Sequence, residues 1–392
     1  MPATAALARP ASGPALAGAP GSQEPGGGGQ GLSALGHSAL DNNAQSDSAP
    51  DSRPAAPAAV PPQVLLRPKS RWVAAHWPDL PGWTQDSLGQ AWPALLRSCQ
   101  RPHPAFLPLC PEIRQLAIGS DAEQRQWLMS RLQPYRVLAP DGTSEGLLTS
   151  YFEPILQAQR MPSASHRVPL HSPPADLNGR QPWFTRQEIA RSAAAQSALE
   201  GREIAWLSDP IDAMVLHIQG SGRLDLTEAD GTQRRVRVAF AGSNGQPYRS
   251  INQWLLEQGV RRINPWPEAT KAWAAQNPQR VDELLWSNPR YVFFREEPIT
   301  EPAEGPRGAQ GVALSAGRSI AVDPGSIAYG TPLWLVSHGP AVRLERLVVA
   351  QDTGSAIVGA VRADYFAGTG PEAGQLASQI KQGLQLWALW PR

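Results

Sequence analysis

The stretch SIAVDPGSIAYGTPLWLVS (residues 319–337), followed by RLERLVVAQDTG (343–354) and AVRADYFAG (360–368), decides the fold. Apolar runs of strand length alternate here with Asp and Gly, a pattern that reads as β-strands ending in tight turns. Asp323 closes the first run, Asp352 the second, and Asp364 sits in the third. Ends of this kind converge on one rim of a closed barrel, a common place for a site. Taken singly, each aspartate is better explained as a turn residue accepting backbone N–H groups. Three within a short stretch, with aromatics close by and no lysine near them in sequence, favour a functional reading.

Upstream, strand-like runs recur at 146–159 (GLLTSYFEPILQAQ), 213–226 (AMVLHIQGSGRLDL), 234–242 (RRVRVAFAG) and 290–296 (RYVFFRE). Between 84 and 136 the spacing predicts helices, with Ser120, Asp121 and Glu123 as an N-terminal cap. Further helices are predicted at 249–259 and near 266–286, and the run 374–391 should begin as a helix and end as a strand. The class is mixed, mainly β with helical segments. Residues 1–68 are Ala, Pro, Gly and Ser with almost no aromatics and are read as a disordered tether.

Composition excludes several functions. Lys and Arg total 35 against 34 Asp and Glu, a formal net charge of +1, so no field favours nucleic acid or anionic lipid. No His, Cys and carboxylate cluster has metal-ligand spacing, so no metal and no cofactor is expected. The two cysteines, Cys99 and Cys110, are balanced between a local disulfide and two buried thiols. No run reaches transmembrane length. The first residues lack the apolar middle of a secretory signal, and no cysteine near them offers a lipid site, so neither export signal nor anchor is visible.

The segments 320–335, 348–359 and 361–370 resemble the three-aspartate (3D) domain of the membrane-bound lytic murein transglycosylase A (MltA) family. The resemblance extends to 146–159 (a G-x-x-T-x-Y-[YF]-x-P segment), 209–226 (ending in Q-G-S-G), 241–251 (AGSNGQPYRSI) and 288–296 (NPRYVFFRE). The matches keep their order from about 146 to 390. The sequence departs from the family pattern after the D-T-G, where Ser355 replaces a glycine and Val358 a lysine.

The resemblance implies a double-psi β-barrel with a second, smaller β domain inserted, assigned here as 69–154 plus 244–392 for the barrel part and 155–243 for the insert. It implies cleavage of the β-1,4 bond between N-acetylmuramic acid and N-acetylglucosamine by a carbon–oxygen lyase reaction that leaves a 1,6-anhydromuramic end. Asp364 would be the acid/base, Asp352 would tune its pKa, and Asp323 would support them. Tyr151, Glu153, Gln219, Gly220, Ser221, Gly222, Tyr248 and Arg249 would contact the glycan. A monomer in the bacterial envelope, periplasmic or outer-membrane associated, is expected, with peptidoglycan strands as partner and a cell-wall synthesis or division complex as a further one.

The chemistry supports a single acid. Hydrolysis normally uses two carboxylates, whereas a transglycosylase uses the sugar's own C6 hydroxyl as nucleophile, so one carboxyl gives and retakes the proton. Such an acid needs a raised pKa, which burial and a like charge supply; Asp352 offers the charge, Tyr365 and Phe366 the apolar surroundings. Three rivals stand beside this reading. An aspartic protease needs a second DTG or DSG copy, which is missing. A glycan-binding scaffold would bind without cutting. A two-carboxylate hydrolase would pair Glu153 with Asp364. His217, placed mid-strand, is read as a satisfied core histidine, and Asn244 is explained equally well by glycan contact or by loop structure.

Overall fold

The computed structural model describes residues 62–392 except 180 and 262–264; most of the predicted tether, residues 1–61, lies outside the described residues. Six strands close on themselves. Lys381–Pro391 pairs with Pro332–His338, which pairs with Arg343–Asp352, then Ser319–Val322, then Arg362–Thr369, then Gly146–Glu153. The ring is completed where Lys381 returns to Thr149. Two of the pairs are parallel. The alternation of each strand sends Ile320, Leu333, Val348, Ala363, Tyr365 and Leu386 into one buried core.

Three more strands, Val64–Leu66, Arg71–Ala74 and Leu132–Leu138, extend the sheet from Lys381–Pro391. Two of them correct the sequence reading. Val64–Leu66 is an edge strand on Arg71–Ala74, not tether, and Leu132–Leu138 is a strand where a helical pattern was predicted. The helices Trp92–Ser98, Cys110–Gln115 and Asp121–Arg131 cover the other face of the sheet through a tryptophan-rich core that includes Trp83, Trp92, Trp334 and Trp387. Ser120 caps the last of these helices through the predicted box with Glu123. Cys99 and Cys110 form a disulfide within this layer.

A second, six-stranded sheet runs in the order Val292–Glu297, Gln233–Ser243, Ser221–Thr227, Ile155–Gln159, Glu203–Leu207, Val168–His171. Its first strand was expected with the barrel. It pairs instead with Gln233–Ser243, Phe294 lying opposite Phe240, because Val292 and Phe294 fill the core of this sheet. The helices Ile251–Glu257 and Val281–Trp286 also pack here, against Ile211, Met214 and Val215.

That last contact exposes another correction. Residues 210–219 are a helix, Pro210–Gln219, not a strand. Asp209 caps its start by accepting the N–H of Ile211 at 2.8 Å, and Pro210 supplies the fixed φ of a first turn. Gly220 ends it at φ 81°, a left-handed conformation that only glycine adopts cheaply. His217 is therefore helical; it is buried as predicted, against Tyr291 and Phe294, but not satisfied, since among the described residues neither ring nitrogen has a hydrogen-bond partner.

Candidate active site

The parallel pair Gly146–Glu153 and Arg362–Thr369 sets Asp364 opposite Thr149 and Phe366 opposite Tyr151. Strand alternation then puts Arg362, Asp364 and Phe366 on one face with Thr149 and Tyr151, while Ala363 and Tyr365 point into the barrel core. Tyr365 thus does not flank Asp364 as expected; its hydroxyl meets Arg346 and the carbonyl of Gly317. Phe366 does share the face and packs on Tyr151 at 5.3 Å.

Asp364 is half-buried. Its Oδ1 accepts the Thr149 hydroxyl at 2.5 Å, and Thr149 in turn accepts from Arg362 Nη2 at 2.8 Å. Asp352 reaches the same neighbourhood by register, since Ala321 pairs with Asp352 on one side and with Asp364 on the other. Two strand spacings separate the two aspartates, about 10 Å at the backbone. The Tyr151 hydroxyl donates to Asp352 Oδ2 at 2.7 Å and the N–H of Ala309 to Oδ1 at 2.9 Å.

These surroundings weaken both acids. Burial raises the Asp364 pKa to about 6, against the pull of the Thr149 hydroxyl and the Arg362 charge; Asp352 pushes the same way as burial but is the smallest contributor. Both influences named from the sequence act in the expected direction, and burial dominates. Burial also raises Asp352, opposed by the Tyr151 and backbone hydrogen bonds. Tyr151 is driven well above the ordinary phenol range by burial and then by the Asp352 charge. Tyr248 is raised mainly by burial, against a hydrogen bond with Ser250, and the Asp364 charge adds a smaller push upward.

A groove of about 670 Å³ opens at Asp352 and Tyr151; Asp364, Tyr248 and Arg249 are not among the residues that line it. Tyr151 and Asp352 line it from the barrel, and Gln219, Gly220 and Ser221 line it from the second sheet. Gln219 also ties the two parts together, its Oε1 accepting the N–H of Phe152 at 2.9 Å. Gly222 is buried, and a Cβ there would lie 2.4 Å from Leu216, so this glycine serves packing and not glycan approach. Arg249 is exposed, its backbone N–H held by Asn288. Among the described residues no group of three or more His, Cys, Asp or Glu is arranged to hold a metal.

Glu153 corrects the sequence reading most sharply. It is fully buried, and its carboxylate accepts Arg223 Nε at 2.8 Å, Arg237 Nε at 2.5 Å and the Thr369 hydroxyl at 2.8 Å. It touches no open space and so offers nothing to a sugar or to a water. Asp323 is 3% exposed and similarly committed, to Lys69 at 2.9 Å and to the N–H groups of Gly325 and Gly359. Burial pushes its pKa up, but these donors outweigh it and hold the carboxyl below its usual value. Asn244 is fully buried and bridges Phe184, Pro289 and Tyr291, so loop structure accounts for it. Sequence reasoning missed Thr149 and Arg362; two-residue spacing around Tyr151 and Asp364 is the signal that could have singled them out.

Comparison with known proteins agrees with this geometry. Residues 147–295 match the model of the MltA specific insert domain, and residues 318–390 that of the 3D domain. The membrane-bound lytic murein transglycosylase A of Vibrio cholerae is 31% identical over 256 residues, covering 62% of this chain and 65% of that protein. Its counterpart in Escherichia coli K12 is 30% identical over 250 residues, covering 62% and 64%. The match thus spans just under two thirds of these relatives' length. Among solved structures, the lytic transglycosylase LtgG of Burkholderia pseudomallei is 40% identical, covering 86% of this chain and 100% of that one, with a TM-score of 0.59. MltA from Neisseria gonorrhoeae is 28% identical, covering 86% and 97%, with a TM-score of 0.70. The barrel, the inserted sheet and these matches agree, and the chain belongs to the membrane-bound lytic murein transglycosylase A family.

Proposed function

We propose that this chain is a peptidoglycan lytic transglycosylase in which Asp364 alone acts as acid and then base. The observation that carries the reading is the weakened acid Asp364, raised to a pKa of about 6, while Glu153 is held by two buried arginines and Asp323 by Lys69 and backbone donors. At pH 7 a carboxyl of pKa about 6 is protonated roughly one tenth of the time, an unperturbed one roughly a thousandth. The fold therefore raises the supply of acid by about two orders of magnitude. The relatives named as lytic transglycosylases support the same chemistry.

In the first step the Asp364 proton passes to the glycosidic oxygen as the C1–O4 bond breaks, and the N-acetylglucosamine fragment leaves as an alcohol. Positive charge develops at C1 of the muramic sugar, facing the new carboxylate. In the second step Asp364 takes the proton of the C6 hydroxyl while O6 bonds to C1. The anhydro ring closes and the acid is restored without water being consumed. The intramolecular hydroxyl outcompetes water by proximity. Asp352 holds Tyr151 against the acid and adds negative charge near it. Tyr248 would contact the glycan, and Gln219, Gly220 and Ser221 form the opposing wall on which sugar hydroxyls and N-acetyl groups rest. The barrel part carries the acid, and the part from 155 to about 297 supplies that wall. The same reading places the protein, as a monomer, in the cell envelope. No described helix is long and apolar enough to cross a membrane.

The product is the test. Mass spectrometry of muropeptides released from purified sacculi is expected to show 1,6-anhydromuramic ends. Free reducing muramic ends would transfer the protein to the hydrolases, and no release at all would leave only a scaffold.

A further inference from the structure

The groove is strongly cationic although the whole chain is nearly neutral. Arg101, Arg290, Arg295 and Arg307 all line it, and Asp352 is the one carboxylate among its lining residues. Arg295 is neutralised by Glu297 at 2.7 Å. The other three meet no carboxylate among the described residues. Arg290 donates to the carbonyl of Gln246 at 3.4 Å, and Arg307 to that of Gly311 at 3.3 Å. Arg101 lies across Gly311, where a Cβ would stand 2.9 Å from its Nη1. Arg101 and Arg307 thus share the 307–311 loop, whose Ala309 N–H is bonded to Asp352. The loop that carries Arg307 is thus fastened to Asp352.

Like charges gathered without counter-ions repel, and nothing in an uncharged sugar chain relieves them. Guanidinium groups suit carboxylates through paired N–H donors. A muramic residue differs from a glucosamine by its lactyl side group, which ends in a carboxylate or, when amidated, in a stem peptide with carboxylates of its own. We propose that Arg101, Arg290 and Arg307 form a carboxylate-binding subsite that reads the muramyl side group. This rests on the glycan-cleaving reading above and adds to it the feature by which a muramic strand is told from a neutral polymer of glucosamine.

The test uses the full chain with Arg101→Gln and Arg307→Gln combined, both exposed positions where substitution changes stability little. Binding is measured by calorimetry to three ligands: peptide-bearing glycan, amidase-treated glycan keeping the free lactyl carboxylate, and an uncharged chitin oligosaccharide. The double variant is expected to bind one or both muramyl ligands about fivefold more weakly, with kcat/KM on them falling in step, and the chitin oligosaccharide unchanged. Loss with only the peptide-bearing strand assigns the stem carboxylates; loss with the amidase-treated strand assigns the lactyl group. Molar salt should erase the difference between wild type and variant. Unchanged muramyl binding, or equal weakening toward the neutral oligosaccharide, overturns the subsite. Failure of the wild type to cut any strand would sink the catalytic reading instead, and the binding comparison would still decide this one.

Discussion

The Thr149 hydroxyl donates to Oδ1 of Asp364 at 2.5 Å while accepting from Arg362 Nη2 at 2.8 Å. A hydroxyl has one proton, so this arrangement fixes its direction and engages one carboxyl oxygen. The proton that Asp364 delivers then belongs on Oδ2. Parallel pairing of the two strands therefore orients the acid as well as placing it.

Asp364→Asn keeps the acceptor for Thr149 and removes the transferable proton. Turnover of sacculi should fall by at least about 10³-fold, with glycan binding largely kept. Stability should move the other way. An acid raised to about 6 in the fold favours the protonated form, so its contribution is fully present below the unfolded value near pH 4 and is lost as pH rises through 6. The variant carries no such loss, so at pH 7 it should be more stable than wild type by about 1–3 kcal/mol. That gap should close below about pH 4. Denaturant melts at pH 4 and 7 measure it, and a variant less stable at pH 7 would contradict the raised pKa.

Glu153→Gln leaves Arg223 and Arg237 buried without a counter-ion. These arginines also donate to the carbonyls of Pro302 and Glu304, so the clamp anchors the chain between the second sheet and the barrel. Removing one partner of a buried ion pair costs about 3–5 kcal/mol, and a thermal melt should show it. The folded fraction should still release 1,6-anhydro ends. A fully stable variant with lost activity would restore Glu153 as the second carboxylate of a hydrolase.

The strand ends at Asp323 and Asp352, the capped helix at Ser120 and the final helix and strand were legible because each depends on residues close in sequence, whereas Asp364 lies within a strand and not in a turn. The helix at 210–219 was misread because a continuous apolar run such as AMVLHI looks alike in a strand and in a buried helix. Asp209, Pro210 and Gly220 were the local signals that resolve it. Glu153 was misassigned for a different reason: its partners Arg223 and Arg237 lie 70 and 84 residues away, and no local pattern announces them. Val292–Glu297 was likewise assigned to the wrong sheet because its strand partner is set by tertiary packing alone. The arginines of the groove come from three separated segments and produce no charge run.

Asp352→Asn tests the coupling of the two acids. The negative charge near Asp364 disappears, while an amide oxygen remains to accept the N–H of Ala309 or the hydroxyl of Tyr151. A like charge raises a carboxyl pKa, so its removal lowers that of Asp364. Because burial acts most strongly on Asp364 and Asp352 least, the shift should be small. The wild-type rate should fall as pH rises through about 6, where Asp364 loses its proton. In the variant this basic limb should lie at lower pH, and the rate at neutral pH should drop more than the rate near pH 5. The profile of kcat/KM is the measurement, since it reports the free enzyme. A limb that stays in place, or moves toward alkali, would show that Asp352 serves only to hold Tyr151.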